Sequence, residues 1–263
     1  MLYSIVRSRI LGVIPARFAS SRFPGKALAK IAGKSMLQHV WERASLAQSL
    51  TCGVLVATDD ERIAAEVRRF GGRVRITRPD HPSGTDRLAE VASAEFAHIY
   101  VNIQGDEPLI DPDAINCAVW ATHGDEHASL GTLKRRLEDP SDLANPNVVK
   151  VVTNLSGDAI YFSRHPIPYV RDSGGSPPAF FKHVGLYVFR RELLLAYPDL
   201  PVGPLERAEC LEQLRALENG YRIKVIETEY ESLGVDTPDD LERISRLFQA
   251  ANHRLQTSIQ DTT

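Results

Sequence analysis

Cysteine is scarce and scattered. Cys52, Cys117 and Cys210 are the three in the chain, with no C-x-x-C among them. That pattern argues against a disulfide framework and against a cysteine zinc site, and reduced thiols are expected. A large charge excess is also missing, since the formal net charge is −3. Long-range attraction to nucleic acid is therefore not expected, whereas a local phosphate site is compatible with that balance. No apolar run approaches the ~18 residues of a membrane span. Met1 to Arg9 lacks the apolar centre of a signal peptide. These absences predict a cytoplasmic protein without membrane insertion. The eight histidines are scattered and form no metal-ligand cluster.

What is present points to an α/β fold. The 263 residues suit one large domain with an inserted lobe. Arg9–Pro15, Gly53–Ala57, Arg73–Ile76 and Ile99–Ile103 read as strands. Helices are expected over Ser35–Gln48, from Thr58 or Asp59 to Gly71, and over Ser83–Ala94. This alternation predicts a mostly parallel sheet with helices on both faces. After Pro112 the rhythm loosens. Strands are expected at Ala128–Arg135, Val148–Asn154, Ala159–Ser163, Phe181–Phe189 and Arg222–Glu227. Leu205–Leu217 and Pro238–Phe248 read as helices, Arg171–Pro178 as a loop, and about 250–263 as a frayed tail.

The most informative segment is Val13-Ile-Pro-Ala-Arg17-Phe-Ala-Ser-Ser-Arg22-Phe-Pro-Gly25-Lys26. A buried strand runs into a loop carrying Arg17, Arg22 and Lys26. In open α/β sheets, ligands bind outside the carboxyl ends of the strands. A cationic loop there suits a phosphate, although an exposed basic loop is the plainer alternative. The spacing matches neither a Walker loop nor a G-x-G-x-x-G fingerprint.

Two aspartates follow at turns. Asp106 lies in Asn102-Ile-Gln104-Gly-Asp106-Glu-Pro108, and Asp236 in Gly234-Val-Asp236-Thr-Pro238. Each alone reads equally well as an ordinary turn or helix cap. Together they suit a split site for Mg²⁺, which takes one or two carboxylates plus substrate oxygens. Ser83, Gly84 and Thr85 open a helix and either cap it or hold a nucleotide. His183, Gly185 and Tyr187 share one strand face, a solvated face or a sugar platform. Glu209 and Gln213 stand one helical turn apart, with Glu212 beside them.

These segments resemble the 3-deoxy-manno-octulosonate (KDO) cytidylyltransferases, also called CMP-KDO synthetases. The likeness runs from about Ile10 to Phe248. It is carried in one order by Pro15-Ala-Arg17 to Lys26, Val56–Asp59, Ser83–Glu90, Asn102–Pro108, Asn147–Val152, Tyr161–Arg164, His183–Tyr187, Glu212–Arg215 and Gly234–Pro238. The resemblance implies a Rossmann-like nucleotidyltransferase fold with a smaller β-rich lobe, about residues 128–190, for sugar binding and dimerisation. It implies transfer of CMP from CTP to KDO, which activates KDO for lipopolysaccharide synthesis, by a homodimer with Mg²⁺. Arg17 and Lys26 would bind the triphosphate, and Asp106 and Asp236 the metal. Ser83, Gly84, Thr85, Arg87 and Gln104 would hold the nucleotide, and His183, Tyr187, Glu212 and Gln213 the sugar acid. Asp86, Lys182 and Phe23 depart from the usual Glu, Arg and Leu, and none of them is a proposed ligand. The rival readings are another sugar acid (8-amino KDO or a sialic-type acid), a sugar-1-phosphate nucleotidyltransferase, and a non-catalytic nucleotide-binding module.

Overall fold

The computed structural model describes residues 8–19, 23–171 and 178–260, with side chains described through residue 250. Arg22 and most of the Arg171–Pro178 loop lie outside the described residues.

Strand β1, Ile10–Ala16, is buried on both faces. Ile10 and Ile14 join one apolar cluster, and Leu11 and Val13 the other. That is the behaviour of a parallel strand sandwiched between helices. The other strands are β2 (Lys30–Ile31), β3 (Lys34–Ser35), β4 (Val54–Thr58), β5 (Arg73–Ile76) and β6 (Ile99–Asn102). The second half adds β7 (Leu130–Arg136), β8 (Lys150–Thr153), β9 (Ala159–Ser163), β10 (Phe181–Arg190) and β11 (Ile223–Glu227). The main sheet runs β11-β7-β10-β6-β1-β4-β5. Within it β10 is antiparallel to both β6 and β7, and the remaining strands share one direction. The β8–β9 hairpin is attached through β10. β2 and β3 form a separate small hairpin that the sequence pattern does not announce.

The helices cover both faces. Leu37 and Val40 of Met36–Ala44, Ile63 and Val67 of Glu61–Arg69, and Ile115 and Val119 of Pro112–Gly124 pack on one. Leu88 and Val91 of Gly84–Ala94, with Leu193, Leu194 and Leu214, pack on the other. A third cluster joins Ile31 and Met36 to Val235 and Ile244. It docks the C-terminal helix beside the first loop.

Several boundaries differ from the sequence reading. Asp60, rather than Thr58 or Asp59, caps the helix Glu61–Arg69 by accepting from the Arg62 amide at 2.9 Å. The helix Pro112–Gly124, capped by Asp111, fills a stretch read only as loosened rhythm. The expected Leu205–Leu217 helix is two helices, Pro204–Glu209 and Gln213–Glu218. Cys210 separates them in the left-handed region, at φ 52°. The last helix spans Pro238–Gln260 and so runs well past Phe248, through most of the expected frayed tail.

Candidate active site

β1 and β6 are parallel neighbours, so their carboxyl ends open onto the same edge of the sheet. Arg17 leaves β1 there, and its guanidinium donates to the His81 carbonyl. Gly25 then turns the loop at φ 73°, in the region that favours glycine, and its amide donates to the Phe18 carbonyl at 2.9 Å. This turn delivers Lys26 as the first residue of a short 3₁₀ helix.

From β6 the chain reaches Gln104-Gly105-Asp106. A Cβ on Gly105 would stand 3.1 Å from the Pro15 carbonyl oxygen, so a side chain there would press the two loops apart. The Lys26 ammonium donates to Asp106 Oδ2 at 2.6 Å, to Asp236 Oδ1 at 3.2 Å and to the Val235 carbonyl at 3.1 Å. Burial opposes charge on Lys26, but the carboxylates of Asp106 and Asp236 outweigh it and raise its pKa. Three segments distant in sequence thus meet on one ammonium.

The capping alternative for Asp236 is settled by its neighbours. Thr237 Oγ1 accepts the Asp240 amide, and Asp240 Oδ2 accepts the Thr237 amide at 3.0 Å. That reciprocal pair opens the last helix, and Asp236 faces Lys26 instead.

Beside this ion cluster lies a cavity of about 260 Å³, whose walls include Gly84, Thr85, Gln104, Tyr187, Glu212 and Gln213. A smaller one of about 90 Å³ holds Arg17, Lys26 and Asp106. Pro15 and Gln104 line both. In the larger cavity Thr85 Oγ1 donates to Glu212 Oε2 at 2.9 Å, and the Tyr187 hydroxyl to Gln213 Oε1 at 3.1 Å. Burial raises the pKa of Tyr187, so its hydroxyl keeps its proton and remains a donor. Gln213 Nε2 and Asn102 Oδ1 are buried without a partner among the described residues, and both residues line this cavity. An unmatched donor and acceptor are what a hydroxylated ligand would satisfy.

Three candidates sit apart from that lining. Arg87 is fully buried, hydrogen-bonds Thr77 Oγ1 and lies 3.4 Å from Asp59. Through Thr77 and Asp59 it braces the loop whose His81 carbonyl accepts from Arg17. Ser83 caps the helix Gly84–Ala94 and donates to Asp86 Oδ2 at 2.6 Å. His183 packs behind Tyr187, with ring centres 5.4 Å apart, and its Nε2 shares a hydrogen with Thr132 Oγ1 at 2.8 Å. Burial holds its pKa down to about 3, so the ring is neutral.

Glu209 is no solvated helix face either, because it accepts from Ser163 Oγ at 2.6 Å and from the Arg164 amide at 2.9 Å. Sequence reasoning missed Tyr197, whose hydroxyl donates to the Glu212 carbonyl at 2.7 Å and which lines the larger cavity. The apolar run Leu193–Leu195 just before it was the available signal.

A family described as cytidylyltransferase matches residues 11–226. A 3-deoxy-manno-octulosonate cytidylyltransferase of Solibacter usitatus is 67% identical over 243 residues, which cover 92% of this chain and 96% of that protein. One from Geobacter metallireducens is 55% identical, over 90% of this chain and 96% of that protein. The chain belongs to the 3-deoxy-manno-octulosonate cytidylyltransferase family. A solved CMP:2-keto-3-deoxy-manno-octonic acid synthetase complexed with CTP superposes with a TM-score of 0.89. It is 44% identical, and the match covers 93% of this chain and 100% of that one. The mostly parallel sheet with β10 reversed between β6 and β7 is therefore the cytidylyltransferase fold, and the protein is a CTP-dependent nucleotidyltransferase.

Among the described residues no group of three or more His, Cys, Asp or Glu side chains gathers as a metal site. Two carboxylates converging on a single cation are nevertheless the donor set that Mg²⁺ takes when substrate oxygens and water complete its shell. The ammonium of Lys26 fills the cationic position between Asp106 and Asp236. Among the described residues no helix is long and apolar enough to cross a membrane.

Proposed function

We infer that the protein transfers CMP from CTP to the anomeric hydroxyl of KDO, giving CMP-KDO and pyrophosphate. The observation that carries this reading is the meeting of Lys26, Asp106 and Asp236 beside a cavity with unmatched polar groups. The high identity to proteins named for this activity supports the choice of substrates.

In the reaction the anomeric oxygen forms a bond to the α-phosphorus. The bond from that phosphorus to the β-phosphate bridging oxygen breaks, and pyrophosphate leaves with the electron pair. Catalysis of this kind rests on positioning and charge stabilisation. Arg17 and Lys26 stand where a triphosphate would follow the first loop, and they offset charge growing on the leaving pyrophosphate. Gly84, Thr85 and Gln104 hold the nucleotide at the wall shared by the two cavities. Tyr187, Glu212 and Gln213 orient the sugar acid, with Tyr197 and His183 fixing their places. Asp106 and Asp236 would hold Mg²⁺, which when bound supplies Lewis-acid stabilisation of phosphate oxygens and acidifies the attacking hydroxyl. Among the described residues no side chain is placed as a dedicated base, and the proton of the hydroxyl leaves to solvent.

A cytoplasmic homodimer joined through the β8–β9 lobe completes the reading. Leu155 and Ile160 of that lobe are exposed apolar side chains, which supports an interface there.

Pyrophosphate release, with CTP, UTP, ATP and GTP crossed against KDO, 8-amino KDO and a sialic acid, tests the substrates. We expect release with CTP and KDO alone. Release with a different acid moves the substrate, and CTP binding with no release from any pair leaves only a nucleotide-binding module.

A further inference from the structure

Glu107 follows Asp106 in sequence, yet it is only 7% exposed. A carboxyl group this far from water needs its oxygens matched. Both are. Oε2 accepts from the Tyr230 hydroxyl at 2.8 Å, and Oε1 from the Ser232 hydroxyl at 2.6 Å. Both donors lie on the irregular segment between β11 and the last helix, and that segment also carries Asp236. A backbone bond from the Val235 amide to the Asp106 carbonyl, at 2.9 Å, also joins the two aspartate loops directly. Glu231, between the two donors, reaches outward to Arg135 at 3.0 Å, so the segment is held on both sides.

We propose that Glu107 is a positioning residue that fixes where Asp236 stands relative to Asp106. This rests on the reading of Asp106 and Asp236 as joint ligands of a divalent cation. A segment without helix or sheet has no ladder of its own to set its register. Two hydrogen bonds donated to one buried carboxylate supply that register and select one placement of Asp236. Groups that orient ligands in this way typically change metal affinity by roughly 10–100-fold when removed. The hydroxyls of Tyr230 and Ser232 can turn to accept as well as donate. Glu107→Gln therefore keeps both links, while Glu107→Leu removes both.

The test is Mn²⁺ binding to the full chain with CTP present, followed by electron paramagnetic resonance. Four variants are compared: Glu107→Leu, Glu107→Gln, the Tyr230→Phe/Ser232→Ala double variant, and Asp236→Asn. We expect Glu107→Leu and the double variant each to weaken Mn²⁺ by about tenfold or more. Glu107→Gln should stay within about threefold of the parent. In the two weakened variants the Val235 amide should exchange hydrogen faster. A purely structural role would lower the melting temperature and leave the Mn²⁺ affinity of the folded protein alone.

If Glu107→Leu does not fold, the double variant decides, since it keeps the Tyr230 ring in the core. Unchanged Mn²⁺ affinity in the double variant, with Asp236→Asn losing it, overturns the proposal. Unchanged affinity in Asp236→Asn removes the shared metal site itself, and the role of Glu107 falls with it.

Discussion

Lys26 holds the two aspartates at hydrogen-bond distance on a single ammonium, so substitutions around it separate catalytic from structural roles. Asp106→Asn and Asp236→Asn should each lower kcat by roughly 100-fold or more, the scale of lost transition-state charge stabilisation. Their melting temperatures should stay near that of the parent, and near-normal turnover in either variant would remove that residue from the site. Lys26→Ala should weaken CTP use with little change in melting temperature, because the cluster lies at the sheet edge rather than in the core.

His183 gives a prediction in pH. Its pKa is held at about 3 in the folded protein, against about 6.5 in an unfolded chain. Between those values the unfolded chain binds a proton that the folded one does not. Stability therefore falls as pH drops from about 6.5 towards 3, by about 1.4 kcal/mol per pH unit for one proton. Above that window this contribution is flat. His183→Gln cannot take up the proton, so urea unfolding at stepped pH should show a shallower fall than in the parent. Identical slopes would mean that His183 titrates alike in both states.

At the same scale, Arg17, Lys26, Asp106 and Asp236 were legible in the sequence because each follows a strand end or a turn with a recognisable signal. Arg87 and Ser83 were legible as residues near the site but not in their positions, since burial and capping depend on tertiary packing. The Glu107 contacts were invisible, because Tyr230 and Ser232 lie more than a hundred residues away.

At the level of elements, β1, β4 and β6 could be read from their apolar runs, and the βα alternation gave their order. The helix Pro112–Gly124 was obscured because its buried residues include Ala114, Asn116, Ala118 and Thr122. Small and polar side chains weaken the apolar stripe on which periodicity depends. The break at Cys210 was hidden for the opposite reason, since the apolar spacing continues through it. What ends the first of the two helices is the left-handed Cys210 and the hold of Ser163 and Arg164 on Glu209.

The fit of the Pro112–Gly124 helix on β7 gives a further test. A Cβ on Gly131 would stand 1.7 Å from Thr122 Oγ1, and Thr122 is fully buried. Gly131→Ala should therefore destabilise by about 1–3 kcal/mol. Adding Thr122→Ala removes the clashing atoms and should recover part of that loss. Denaturant unfolding of the two single variants and the double variant measures the coupling, and strictly additive effects would mean that the two residues do not meet.

For the whole molecule, the parallel sheet brings the first loop and the Asp106 turn to one edge, and the third apolar cluster docks Asp236 against them. The site is thus a product of the complete fold, with its parts drawn from both ends of the chain. The proposed dimer belongs to this scale too. Sedimentation should give twice the chain mass, and Ile160→Asp, on the exposed side of β9, should shift it towards the monomer with the sheet intact. A monomeric parent would remove the lobe as an interface.

The most direct measurement is ³¹P NMR of the protein with CTP, KDO and Mg²⁺, for the parent and for Asp106→Asn. We expect a phosphodiester resonance for CMP-KDO and pyrophosphate to grow in equal amounts with the parent, and both to fall by roughly 100-fold in rate with the variant. Pyrophosphate without the phosphodiester, no reaction in the parent, or equal rates in the two proteins would contradict CMP transfer to KDO at this site.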